Sequence, residues 1–260
     1  MQKSDLRQCA SVLALGLSLA AGDLKPAELE FRTPTADQVV SRMLEMNQAR
    51  TSALQQYTSQ HRYVAENRHF SKRAEVTVQE SYGRETGKQL TIVSENGSPF
   101  VQHRVIDKLI QAEIDSSRDD NRDQAMVTTQ NYSFRLVGTE NIDGHQCYVL
   151  EVTPKAPKKY LMRGRIWVDD AEYAIVKMEG TPAKNPSFWT RRVRFVRRYE
   201  KHGPFWLPSS LESESDILIA GTSTLKIEYF EYQIGAAPIL PANERAASPD
   251  QESVDGRPQP

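Results

Sequence analysis

Cysteine is scarce in this chain: 260 residues hold two, Cys9 and Cys147. Cys9 falls in an N-terminal stretch with the features of a removable leader, so Cys147 is left without an intramolecular partner. A chain of this length can bury a sizeable core without a disulfide. Cys147 lies in the strand-like run HQCYVLEV and reads as a small buried hydrophobe, not a nucleophile. An excess of either charge is missing too, with 33 Lys+Arg against 34 Asp+Glu. Catalytic signatures are absent: there is no G-x-S-x-G elbow, no P-loop, no G-x-G-x-x-G, no H-E-x-x-H and no Cys pair at zinc spacing. His61, His69, His103, His145 and His202 are scattered over strand ends and turns, with no motif joining them. Asp119-x-Asn121-x-Asp123 has the opening of a calcium loop, but Gln124 stands where the turn needs glycine and Gln130 where it needs a bidentate glutamate. No cofactor and no metal are expected.

Residues 1–22 read as a secretory signal, with Lys3 and Arg7 ahead of an apolar run at 11–21 that is too short to span a bilayer comfortably. Small residues at Ser18, Ala20, Ala21 and Gly22 suit cleavage, and the mature protein is expected in the periplasm. A polar linker follows at 23–34. Thr35 and Gln38 then form a capping box, and Val39, Val40, Met43, Leu44 and Leu54 recur at helical spacing behind it. Three strands are predicted at 57–67, 74–82 and 88–95. Ser98-Pro99 opens a second helical pattern through Ala112, because proline is tolerated in a first turn. The polar span 116–130 reads as a loop. Hairpins resume at 132–137 and 148–152, turning at Asp143-Gly144, and the last strand runs through Leu225, Ile227 and Tyr229. The tail at 235–260 is rich in proline and poor in apolar residues, so disorder is expected there.

The stretch from Tyr160 to Leu211 organises the rest. It reads as four consecutive antiparallel strands, with Met162, Ile166 and Val168 alternating against Arg163, Arg165 and Trp167. A three-residue turn at 169–171 would set Ile166 opposite Ala174 and Gly164 opposite Val176. Charge is polarised here: residues 153–201 carry 13 basic and 5 acidic side chains. Within it, Arg191, Arg192, Arg194, Arg197 and Arg198 divide between the two faces of a strand, with Arg191 and Arg197 on the face of Trp189 and Phe195. They form no phosphate-tracking stripe, and a nucleic-acid partner is not expected.

The segment GRIWVDDAEYAIVKMEGTPAKNPSFW, followed by GPFWLPSSLESESD, resembles the outer-membrane lipoprotein-sorting family of LolA-like proteins. The resemblance spans residues 39–234 and places the domain at 35–234. It implies a mainly β fold with a few helices: one curled antiparallel sheet, an incomplete β-barrel, lidded by helices and holding acyl chains in its concave face. About ten strands must close, pair or curl in any case. The implied function is non-catalytic carriage or binding of lipoproteins or other acylated lipids, as part of lipoprotein sorting, by a monomer that meets inner- or outer-membrane lipoprotein machinery. An envelope-stress sensor module binding lipid and a partner protein is the alternative, which the absence of a second folded domain disfavours. A hydrolase with an unrecognised site stands third. Lining candidates are Ile166, Trp167, Phe188, Trp189, Phe195, Trp206 and Leu207. Lys155, Lys158, Lys159, Arg163 and Arg165 are candidates for a basic rim that meets anionic head groups. The family uses a cavity arginine to hold its lid, and Arg62 is the positional candidate for it here.

Overall fold

The computed structural model describes residues 33–185, 190–218 and 221–236. The expected signal at 1–22, the linker up to residue 32, Phe188, Trp189, the Arg191 side chain and the tail beyond residue 236 lie outside the described residues.

The chain opens with helix α1, Ala36–Ala53. Its start is fixed by the capping box: the Thr35 hydroxyl accepts from the Gln38 N–H at 3.3 Å, and the Thr35 N–H donates to the Gln38 side chain at 2.9 Å. Two of the helix's orphan donors are thereby satisfied. Val39, Val40 and Met43 form its buried stripe. The helix passes into strand β1, Leu54–Asn67, with no intervening loop. Strands β2, Lys72–Gly83, and β3, Gly87–Gly97, complete a meander. A helical stretch follows, made of α2, Pro99–Val101, a π-helical turn at Gln102–Ile106, and α3, Asp107–Ser117. Helix α4, Asp119–Ala125, occupies the span expected as a loop.

The remaining strands are β4, Tyr132–Ile142; β5, His145–Pro154; β6, Met162–Asp169; β7, Ile175–Pro182; β8, Thr190–His202; β9, Phe205–Ile217; and β10, Gly221–Ala236. Among the described residues, the ten strands join one antiparallel sheet in the order β3-β2-β1-β10-β9-β8-β7-β6-β5-β4. The sheet curls without closing, with β3 and β4 as its edges. The first and last strands pair in its interior, so β10 runs beside β1 as far as Ala236, past the boundary expected at residue 234. Asp143 and Gly144 both take positive φ, 51° and 91°, in the two-residue turn that matches the twist of the β4–β5 hairpin.

The β6–β7 register differs from the expected one. Ile166 lies opposite Met178, Gly164 opposite Gly180, and Val168 opposite Ile175. Two local causes fix it. The Asp169 carboxylate accepts from the N–H groups of Ala171 and Glu172, and the Asp169 carbonyl accepts from Tyr173, so the connection is longer than three residues. The strands also approach closely at the glycine pair. A Cβ on Gly164 would stand 2.0 Å from the Glu179 carbonyl oxygen, and one on Gly180 2.3 Å from that of Arg163. Only two glycines fit there.

The helices cover one face of the sheet and divide the core in two. Under α1, Val39, Val40 and Met43 pack with Leu150, Val152, Met162, Ile166 and Val168 from β5 and β6. Under α2 and α3, Val101, Ile106 and Ile110 pack with Tyr63, Val76, Val78, Ile227 and Tyr229 from β1, β2 and β10. A smaller cluster of Cys147, Val149, Trp167 and Val176 sits on the opposite face. Among the described residues, no helix is long and apolar enough to cross a membrane.

Candidate functional site

The two halves of the core leave a hollow of about 610 Å³ between the helices and the middle of the sheet. That size lies within the range of small-molecule sites. Its roof is α1 from Met43 onward, with Leu44 and Thr51, together with Met126 and Val127 after α4. Its sheet wall is Met178 on β7, Phe195, Arg197 and Tyr199 on β8, and Leu207 and Leu211 on β9. Alternation along β8 sends residues 195, 197 and 199 to this face. One edge of the roof is clamped by Glu172 in the β6–β7 connection. Its backbone carbonyl accepts from Arg50 of α1 at 2.6 Å, its carboxylate accepts from the Trp206 indole at 2.9 Å, and Lys201 pairs with it as well. Burial works against the Glu172 charge, but Lys201, Trp206 and Arg50 outweigh it and hold the carboxyl below its usual range.

The expected lining residues separate by face. Phe195, Leu207 and Trp206 border the hollow. Ile166 is fully buried beneath α1, in the core rather than at the hollow. Trp167 points the other way, as the residue next to an inward one must in a strand. Its indole donates to Glu140 at 2.7 Å, and the Lys177 ammonium lies 4.1 Å from its ring centroid. The expected basic rim divides as well. Lys159 borders the hollow; Lys155 donates to the Thr129 carbonyl at 2.7 Å, and Lys158 is exposed. Arg163 and Arg165 alternate with Ile166 onto the face of Trp167, Arg165 lying opposite Glu179. Arg62 is also on that outer face, paired with Glu228, and cannot reach the hollow. The arginine on the sheet wall of the hollow is Arg197. Its Nη2 donates to the Tyr229 hydroxyl at 3.2 Å, and its Nε is buried without a partner.

Beside the hollow, between α3 and β1–β3, lies a buried polar network that no sequence motif announces. Lys88 Nζ sits 2.9 Å from Glu80 and 3.0 Å from Glu113. Glu80 also meets His61 Nε2 at 2.6 Å and accepts from the Tyr57 hydroxyl at 2.7 Å, while Glu113 accepts from the Tyr63 hydroxyl at 2.9 Å. Burial would raise the Glu80 pKa, but the His61 hydrogen bond, Lys88 and Tyr57 together bring it down to about 2. Burial also opposes the Lys88 charge; Tyr57, Glu113 and Glu80 more than reverse that and push its pKa up. His61, Glu80 and Glu113 bring three ligand-type atoms within 4.8 Å of one another, a donor set a divalent ion would accept. Lys88 already stands against both carboxylates and supplies the positive charge. The network also fails as a Ser–His–acid relay. Ser59 Oγ, at 3.1 Å, and the Glu80 carboxylate both face the same nitrogen of His61, whereas a relay needs them on opposite nitrogens.

A protein-family model described as an uncharacterized protein matches residues 115–238. No curated protein matches the chain. Among solved structures it is similar to a DUF1329 family protein from Desulfovibrio piger, at 16% identity and TM-score 0.46, covering 78% of this chain and 94% of that one. It is also similar to a LolA superfamily protein from Nitrosomonas europaea, at 14% identity and TM-score 0.37, covering 79% and 96%. A third is an outer membrane lipoprotein-sorting protein domain from Vibrio parahaemolyticus, at 12% identity and TM-score 0.42, covering 80% and 96%.

Proposed function

We propose that the hollow binds a hydrocarbon chain, and that the protein is a non-catalytic periplasmic carrier or binder of lipoproteins or other acylated molecules. The observation that carries this reading is the hollow itself. About 610 Å³ is left unfilled against Met43, Leu44, Met178, Phe195 and Leu211, a concave and mostly apolar space of the size that small-molecule sites occupy. A hydrocarbon of matching bulk turns that space into buried apolar contact. Each methylene buried contributes about 0.8 kcal/mol, so roughly ten supply the ~8 kcal/mol of a micromolar complex, before the entropy of association is subtracted. The polar network beside the hollow is structural in this reading, since its groups neutralise one another.

Mass spectrometry of organic extracts from the purified protein is expected to find acylated molecules. The delipidated, folded protein is expected to take up a fluorescent acyl probe, and Phe195→Asp to weaken that uptake at least tenfold by placing a charge against the chain. Folded protein that takes up no acylated ligand would sink the reading.

A further inference from the structure

We propose that the ligand of the hollow is a single hydrocarbon chain with an anionic oxygen head, a carboxylate or a phosphate monoester, and that this head seats on Arg197 inside the hollow rather than on lysines at its rim. The proposal rests on the acyl-binding reading above and adds to it the chemistry and the place of the head group.

Arg197 is in an unusual position. It projects from the middle of the sheet beside Met178, Phe195, Tyr199 and Leu211; the other basic residues lining the hollow are Arg50, held by Glu172, and the exposed Lys159. Its side chain is half-buried, and what it faces is the hollow that it lines. A guanidinium away from bulk water is normally paired with a carboxylate, because an uncompensated charge in a low-dielectric site is costly. Here the protein provides only the Tyr229 hydroxyl at 3.2 Å and the faces of Tyr199 and Tyr229, each 5.9 Å from the guanidinium carbon. Nε has no partner, and among the described residues no carboxylate lies within ion-pair distance. The acid whose charge reaches it, Glu113, is already engaged by Lys88 at 3.0 Å and Tyr63 at 2.9 Å.

A guanidinium that lines a largely apolar hollow and has no carboxylate partner suits an anionic oxygen group. Arginine presents its N–H donors in a fixed fork that fits a carboxylate or phosphate. A neutral ester head would leave the charge uncompensated. The apolar walls then take the chain attached to the head, so both halves of an amphiphile have matching surfaces within one site.

The test uses the full chain, delipidated, with the neutral fluorophore N-phenylnaphthylamine bound in the hollow. Palmitate, hexadecyl phosphate, methyl palmitate and hexadecanol are titrated as competitors. At least one of the two anions is expected to displace the fluorophore at about tenfold lower concentration than the ester or the alcohol, the margin of a charge-assisted hydrogen bond. Whether palmitate or hexadecyl phosphate is the stronger identifies the head. In Arg197→Met the preference for the anions over the ester is expected to disappear, and Arg197→Lys is expected to recover part of it. The preference should also persist at about 0.5 M salt, where attraction to exposed lysines is screened. Equal displacement by anions and ester, or a preference abolished by salt, overturns the head-group assignment and leaves the acyl-binding reading standing. Failure of the fluorophore and of every amphiphile to bind overturns both. If Arg197→Met does not fold, the comparison of anions with ester in the native chain decides the matter.

Discussion

Replacing Lys88 by methionine tests whether the polar network holds α3 on the sheet. The side chains are similar in length, so the change removes the charge and leaves most of the packing. Lys88 is the shared cation of Glu80 and Glu113, at 2.9 and 3.0 Å. Those carboxylates are 1% and 14% exposed, so water cannot take over the role. Removing one partner of a buried ion pair costs about 3–5 kcal/mol. Lys88 itself keeps 21% of its exposure, which favours the lower end, about 3 kcal/mol. In a domain of roughly 200 residues that corresponds to a fall in Tm of about 6–12 °C.

The pH dependence separates this cause from lost packing. Without Lys88, two carboxylates face each other and the folded state raises the pKa of at least one above its unfolded value. A group raised in this way stabilises the fold below its unfolded pKa and ceases to do so as pH rises. The gap between native and variant proteins should therefore be widest near pH 7 and shrink towards about pH 4. Urea unfolding followed by circular dichroism across that range measures it. A gap that stays constant with pH, or one below about 1 kcal/mol at pH 7, would refute the ionic account of the network.

Three further outcomes follow from the same geometry. The native protein should lose stability in acid as Glu80 is protonated: its folded pKa of about 2 lies below the usual carboxylate value, so the contribution is complete above about pH 4.5 and fades as pH falls towards the folded value; a Glu80→Gln variant should show a flatter profile over that window, measured by the same urea series. Cys147 is fully buried, and burial with nearby Asp169 and Asp170 pushes its thiol up to about 12, so a water-soluble maleimide should label the native protein only at the rate of unfolding; prompt stoichiometric labelling would contradict this. Gly180→Val should destabilise by about 3 kcal/mol or prevent folding, because its Cβ would fall 2.3 Å from the Arg163 carbonyl oxygen; unchanged urea unfolding would contradict the close approach.

Elements governed by neighbours in sequence were the legible ones. The Thr35–Gln38 box is a contact between residues three apart, and it marked the start of α1 correctly. Asp143-Gly144 carries its turn geometry in the residues themselves. The β6–β7 register was not legible, because it depends on the Asp169 side chain turning back on its own loop and on two glycines meeting across strands. Helix α4 was missed because its sequence, DDNRDQA, carries no apolar periodicity to separate it from a loop. At the site, Ile166 and Trp167 were grouped together although adjacent strand residues face opposite ways. The apolar cluster of Cys147, Val149, Trp167 and Val176 on the outer face makes hydrophobicity a poor guide to the inner one. The sequence places Arg197 on the face of Phe195, but the cavity arginine is expected there at Arg62. That no carboxylate among the described residues pairs with Arg197 depends on residues on β10 and α3 and appears only in three dimensions.

Helices α1 and α3 are attached to the sheet by different physics. Helix α1 is held by continuous apolar contact with β5 and β6 and by the Glu172 clamp at one end. Separating it exposes hydrocarbon from Val39 to Met43 and gains nothing in return. Helix α3 rests on a shorter apolar stripe, with Ile106 just before it and Ile110 within it, and on one carboxylate, Glu113, inserted between Lys88 and Tyr63. That attachment can be exchanged rather than merely broken. When Glu113 leaves, Lys88 keeps Glu80, and the network's balance changes by one negative charge. An anionic head arriving at Arg197 changes the balance in the opposite sense, on the same side of the hollow. Opening on the α3 side and binding of an anion therefore offset one another electrostatically, whereas opening on the α1 side has no such compensation. The attachment of α3 is thus one that a change of charge can alter, whereas that of α1 yields only by exposing hydrocarbon.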